Sequence, residues 1–527
     1  MARLEAERAV ERIWAGDASL WRSEALARKL IESSLGWLML PERMPEVVPD
    51  LERLAAELRG EADRVVVVGA GGATLASRVF AEAFAPAEGF PRLSVLDTTE
   101  PSAVAAAVRE LDPARTLFVV ASRTGATLET NLLFDVLFDH AESALGEAAG
   151  ARFLAITEAG SALATEAAKR KVRAVLAADP RTPADFGALS HFGLLPLALA
   201  GVDVAEFLAR AGRMAEACRA PGAENPGLLL GAALGAEALT GRDKLTLSLG
   251  APIGPFGAWI EALVAGTTGK DGKGIVPVDG EPLGPPEAYG EDRFFVRCET
   301  AGLEETAADH RLATLVEHGH PLAGFVLQDS LDLGAEIFRW EFAAAVAAKA
   351  LGVNPFDEPD LADARNRASR ILSGGAPEPS VAAAEAPGAL QRLLAETRGG
   401  DYFAILAFLP ERPGVAAALE ALRVAVRRAR RVATTVGFGP RVQHAAGQLH
   451  KGGAKNGVFL QLTFEPAGSL EIPGRPWGFQ TVLAAQADGD VEALQARGRR
   501  VARIRLGSDV ESAVADLTAA VGQEGRA

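Results

Sequence analysis

The sequence predicts an α/β protein built on doubly wound parallel sheets. Three observations carry this. Short apolar runs alternate with amphipathic helical stretches. Glycine-rich or hydroxyl-rich turns follow two of these runs where a helix opens. The pattern then restarts after about residue 225 and again from Asp401.

Residues 1–60 read as a helical segment with aromatic anchors at Trp14, Trp21 and Trp37. Residues 64–68 form a buried strand ending in Gly69-Ala70-Gly71-Gly72, with a helix over 73–84. Apolar run 93–96 ends at Asp97, and helix 101–110 follows. Strand 116–121 runs into Ser122-Arg123-Thr124-Gly125-Ala126-Thr127 and another helix, and strand 153–156 comes next. Strand 244–249 ends in Gly250-Ala251-Pro252-Ile253-Gly254 before helix 256–267. Residues 373–388, rich in Gly, Pro, Ala and Glu, read as linker. Strands near 403–408, 432–436, 458–463 and 501–504 then alternate with helices. The expected boundaries are a helical segment over 1–60, sheet domains over 61–220 and 221–372, a linker over 373–400, and a smaller C-terminal α/β domain over 401–527.

The chain of 527 residues exceeds one ordinary core. A formal charge of −15 excludes a broad nucleic-acid surface, which needs clustered Lys and Arg. An anionic ligand must therefore be captured by local donors. Cys218 and Cys298 fit no metal spacing, and so few thiols suit a reducing compartment. Residues 1–10 lack an apolar signal region, and the run 192–202 is too short to span a bilayer. The expectation is a cytoplasmic protein without metal, cofactor, membrane or nucleic-acid partner.

The hydroxyls of Ser122, Thr124 and Thr127, with free backbone N–H groups and a helix N-terminus, suit a phosphate monoester. The competing reading is plain helix capping. A dinucleotide fingerprint at Gly69-Ala70-Gly71-Gly72-Ala73-Thr74 fails at its third glycine, where Thr74 stands. Asp97 also lies past the spacing of about 20 residues that a ribose acid needs. The glycines serve a sugar-phosphate site equally well. Seven histidines show no zinc spacing, the pair His318 and His320 included. The segment from Gln448 through His450 and Lys451 to Gly453 reads as a ligand-contact loop or an ordinary one.

Together these segments resemble phosphoglucose isomerases, most of all the isomerase half of bacterial transaldolase/phosphoglucose isomerase fusions. The likeness runs through Arg12 to Trp21, Leu35-Gly36-Trp37-Leu38, Val120 to Thr130, Ala188 to Leu194, Gly269 to Gly274, Asn354-Pro355-Phe356-Asp357, and Gln448 to Gly453. It implies two sugar-isomerase (SIS) domains and interconversion of glucose 6-phosphate and fructose 6-phosphate, as in glycolysis and gluconeogenesis. A carboxylate would move a proton through a cis-enediolate steadied by a cation. It also implies a hexose 6-phosphate partner and, commonly, a homodimer, and leaves open whether a separate transaldolase works alongside. By the family pattern Ser122, Arg123, Thr124, Thr127 and Thr130, with Gly71 and Gly72, would hold the phosphate.

The resemblance also exposes departures. The family's Gly-Gly-Arg-Phe-Ser is here Pro183-Ala184-Asp185-Phe186-Gly187, so the arginine becomes Asp185. Its Glu-Ser-x-Gly-Lys is Gly266-Thr267-Thr268-Gly269-Lys270, so the base position is glycine. Its Phe-Asp-Gln-Pro is Phe356-Asp357-Glu358-Pro359, the lysine seven residues on is Arg365, and a serine of the first glycine turn is Ala73. Glu261, on the same helix as Gly266 but about 140° around it, is the candidate replacement base. Arg181 is a candidate for the lost arginine, and Arg365 and His450 complete the catalytic candidates. The alternatives left open are a catalytically impaired sugar-phosphate-binding protein and an isomerase of another phosphorylated sugar.

Overall fold

The computed structural model describes residues 1–302, 306–376, 379–466, 468 and 470–522. Three parallel sheets organise them. The first runs in the order β2-β1-β3-β4-β5, from β1 (Arg64–Gly69), β2 (Arg92–Leu96), β3 (Thr116–Ala121), β4 (Phe153–Thr157) and β5 (Ala174–Ala177). The second runs β7-β6-β8-β9, from β6 (Lys244–Leu249), β7 (Val276–Val278), β8 (Arg293–Thr300) and β9 (Leu322–Leu327). The third runs β10-β14-β13-β11-β12, from β10 (Val381–Ala382), β11 (Tyr402–Phe408), β12 (Ala433–Phe438), β13 (Gly457–Thr463) and β14 (Arg500–Arg505).

The central strands are apolar along their whole length because helices cover both faces. β3, β4 and β11 are buried at every residue. One large core joins the N-terminal helices to the first and second sheets. Its spine is helix Leu333–Leu351, whose residues 340–348 are all buried. The tryptophan anchors tie the N-terminal segment to this core: Trp14 Nε1 donates to Cys218 O and Trp21 Nε1 to Ala345 O, each at 3.0 Å. Trp37 is fully buried between Phe186 and Phe338.

The stretch 373–400 is not simply a linker. Apart from residues 377–378, which lie outside the described residues, it supplies β10, paired with β14, and helix Ala386–Ala395. Leu390, Leu393 and Leu394 of that helix are buried in the third sheet's own core. Its Gly and Pro content masked an amphipathic face. No helix among the described residues is long and apolar enough to cross a membrane.

Candidate functional site

Two loops leave the first sheet side by side, because Gly69 at the end of β1 pairs with Ala121 at the end of β3. Chain order reverses between these strands, so their following helices lie on opposite faces and a crevice opens between them. Gly71 has φ +63°, a backbone state that suits glycine, and precedes helix Gly72–Ala83. In the second loop the Ser122 and Thr127 hydroxyls lie 2.9 Å apart. Thr127 occupies the N-cap position of helix Leu128–Leu145, yet its side chain makes no capping bond. Thr124 is exposed and accepts only a long bond, 3.4 Å, from Ala126 N. Arg123 pairs with Glu158 at 2.8 Å.

A cavity of about 190 Å³ opens here. Ser122, Arg123, Thr124 and Thr127 wall one end with Gly71 and Gly72. Four other segments wall the rest: Asp185 and Phe186 after β5, Gly266 of helix Phe256–Thr268, Glu358 and Arg365 around helix Pro359–Leu372, and His444 after β12. A larger hollow of about 430 Å³ lies elsewhere, but Glu100, Glu465, Asp509 and Glu511 outnumber Arg412 on its wall, a poor setting for an anion.

Buried hydrogen bonds fix this second set. Gln448 Oε1 accepts from the N–H groups of Asp360 (3.0 Å) and Leu361 (3.3 Å), while its amide donates to Gly269 O at 3.0 Å. It thereby pins the start of helix Pro359–Leu372 beside the end of the helix that carries Gly266. Arg365 Nη2 lies 3.1 Å from His444 Nδ1, and His444 Nε2 lies 3.0 Å from Glu129 Oε1. A guanidinium has no lone pair to offer, so Nδ1 accepts and Nε2 carries the hydrogen donated to Glu129. Burial alone would raise the Glu129 carboxyl, but its contacts with His444, its backbone bond and Arg365 hold it at about 2. Gln486 and Thr99 extend the chain at 2.7 and 2.6 Å.

Asp185 and Glu358 form the other feature of this end. Both carboxyls face the same small space, 3.2 Å (Glu358 Oε1) and 3.3 Å (Asp185 Oδ2) from where a Cβ on Gly266 would stand. Enclosure by protein pushes the Asp185 carboxyl well above its ordinary range, and the negative charge of Glu358 adds to it. Arg365 and Lys270 pull the other way.

The structure brings together Gly71, Gly72, Ser122, Arg123, Thr124, Thr127 and Arg365 of the expected residues, and leaves three apart. Thr130 is fully buried, with its hydroxyl unbonded, one turn inside the helix. Glu261 faces Asp279, Arg423 and Arg441 rather than the cavity, as its angular offset from Gly266 requires. Burial and Asp279 raise its carboxyl to about 8 against the pull of the two arginines. His450 stacks between Tyr402 and Phe459, and burial drives its imidazole well below its usual range. The segment from Gln448 to Gly453 is correspondingly no ligand loop: Gly447–Gly452 is helical and buried up to Lys451. Arg181 is exposed and off the cavity wall.

His444 and Glu129 were missed by sequence reasoning. The usable signal was position, since His444 follows the carboxyl end of an expected strand, where parallel sheets present ligand-facing groups. Among the described residues no cluster of three or more His, Cys, Asp or Glu side chains is arranged to hold a metal.

Fold and cavity thus define a parallel α/β protein with a hydroxyl- and glycine-walled crevice at the switch point of its first sheet. The family model for phosphoglucose isomerase matches residues 55–171. A glucose-6-phosphate isomerase of Rubrobacter xylanophilus is 29% identical over 392 residues, covering 64% of this chain and 89% of the relative. One of Symbiobacterium thermophilum is 28% identical over 377 residues, covering 62% and 84%. Among solved structures, a glucose-6-phosphate isomerase of Chlamydia trachomatis superposes with a TM-score of 0.54 at 18% identity, covering 74% of this chain and 81% of that one. A hypothetical protein of Thermus thermophilus gives 0.62 at 22%, covering 71% and 96%. At these identities the structural likeness is one of fold. The chain is thus similar to phosphoglucose isomerases, through the family model over residues 55–171 and through relatives at 28–29% identity.

Proposed function

We propose that this protein takes a hexose 6-phosphate into the crevice and interconverts its aldose and ketose forms, with glucose 6-phosphate and fructose 6-phosphate as the pair. One observation carries the phosphate assignment. The Thr127 hydroxyl sits at a helix N-cap but makes no capping bond, and turns instead to Ser122 at the cavity wall. A hydroxyl that only capped the helix would bond the second or third N–H of the helix. Here the hydroxyls and the helix N-terminus remain for an anion, with the Glu158-paired Arg123 beside them. The sugar would then extend toward Asp185, Glu358 and Arg365.

A second reading is favoured by a specific pair of residues. Asp185 and Gly266 stand where the family carries its arginine and its glutamate base, which supports a protein that binds the sugar phosphate without turning it over. A coupled assay separates the two. Purified protein is expected to convert glucose 6-phosphate to fructose 6-phosphate well above the buffer rate. No conversion, with retained binding of a linear sugar-acid phosphate, overturns the isomerase reading in favour of the binding one.

A further inference from the structure

We infer that the Asp185 and Glu358 carboxyls act as one proton-sharing pair that moves hydrogen between C2 and C1 of the open-chain sugar. The inference rests on the isomerase reading above and supplies the catalytic groups that reading lacks.

The geometry converges on Gly266. A Cβ added there would lie 3.2 Å from Glu358 Oε1 and 3.3 Å from Asp185 Oδ2. The missing side chain therefore leaves the space that both carboxyls face, and all three residues line the crevice. Each carboxyl is held from a different direction. The Ala184–Phe186 turn presses on Gly72 so closely that a Cβ at Gly72 would meet Asp185 N at 2.5 Å. Glu358 is held at the start of the helix that Gln448 pins to Gly269.

The charged groups facing the pair from neighbouring elements are Arg365 and Lys270. Lys270 is committed to the Asp357 backbone carbonyl and carboxylate, and Arg365 to His444, itself bonded to Glu129. Two carboxyls that converge on one enclosed space keep one proton between them, because like charges at close range cannot both ionise readily. The raised Asp185 carboxyl agrees with this.

One shared proton suffices for both half-reactions. The ionised carboxylate takes the hydrogen from C2. The C2–H electron pair becomes the C1=C2 bond, the C1=O1 π pair moves to O1, and O1 takes the proton of the neutral partner. The product is a neutral enediol, and the pair again holds one proton, now on the other carboxyl. In the second half the carboxylate takes the O2 hydrogen. The O2–H pair forms C2=O2, and the C1=C2 pair collects the partner's proton at C1. The ketose is complete and the pair is restored. Neither half places net charge on the sugar oxygens, so no cation need sit above them.

The test uses the full chain with glucose 6-phosphate, following turnover against pH and exchange of the C2 hydrogen in heavy water. Inorganic phosphate binding serves as the readout of an intact crevice. Wild type is expected to give a bell-shaped kcat/KM profile. Asp185→Asn and Glu358→Gln should each lower kcat by at least about 100-fold, change phosphate affinity less than about threefold, and abolish one limb of the bell. The double variant should be no worse than either single one, as for groups that act as a unit. Wild type that isomerises and exchanges, with both single variants retaining kcat within about threefold and an unchanged bell, overturns the pair alone. Wild type that does neither overturns the isomerase reading and the pair with it.

Discussion

The two ends of the crevice are built on different principles. The end proposed for the phosphate comes from two loops of one sheet, set in register by the Gly69–Ala121 pairing, and offers hydroxyls and backbone N–H groups. The end proposed for the sugar is assembled from residues 185, 266, 358, 365 and 444, on elements that belong to all three sheets and their connections. The first can be conserved by keeping two short loops of one sheet intact. The second depends on the packing of distant segments, so a change in one side chain can be answered by another. The Gly266 space faced by Asp185 and Glu358 has that character.

The sharpest way to break this contrast is to refill that space. Gly266→Glu would place a third side chain against two carboxyls at 3.2 and 3.3 Å, adding both crowding and like charge. Turnover is expected to fall at least about 100-fold, with phosphate binding unchanged. Restored or increased kcat would show instead that the space awaits a base.

Thr127→Val probes the other end alone. It should weaken inorganic phosphate and hexose 6-phosphate binding by about 1–3 kcal/mol, the usual cost of an unmet polar contact. Titration calorimetry giving an unchanged Kd would move the anion site away from this loop.

Gly72→Ala tests the place where the ends touch, because its Cβ would strike the backbone around Asp185 at 2.5 Å. Overpacking of this kind costs about 1–3 kcal/mol. Both the thermal midpoint and kcat should fall, the latter through displacement of Asp185. A variant with wild-type midpoint and rate would mean the 184–186 turn yields freely.

The smallest effect on catalysis is expected from Glu261→Gln, which should leave kcat within about twofold, since Glu261 faces Asp279 and Arg423. Its signature is in stability. A carboxyl raised to about 8 in the fold favours the folded state while protonated, a contribution present below the unfolded value and lost as pH rises through about 8. The variant should therefore be more heat-stable relative to wild type at pH 9 than at pH 6. Equal differences at both values would show that Glu261 is ionised in the fold.

Legibility followed the same division. Strands 116–121 and 244–249, and the phosphate loop, could be read locally, because apolar runs and hydroxyl-rich turns are properties of consecutive residues. β5 and β10 have only four and two residues, and β9, though apolar, is a largely exposed edge strand, so length and burial do not set them apart as they do the central strands. At the site, Gly266 and Asp185 could be seen as departures, but not as neighbours. Asp185 is placed there by the 184–186 turn packed on Gly72, and Glu358 by Gln448, a residue that looked like a ligand contact and serves as a clamp. Glu261 was suggested by proximity in sequence, which helical rotation defeats.

One contact bears on how such a protein could be recombined. A Cβ on Gly71 would come within 3.1 Å of the His444 side chain, so the first sheet's glycine turn and the segment following β12 are already touching. The third sheet therefore contributes a wall of the crevice and cannot be exchanged as an independent module. A chimera joining residues before 373 to the corresponding region of a relative would inherit a new partner for Arg365 and Glu129 along with the new fold, and with it an altered receptor for the sugar.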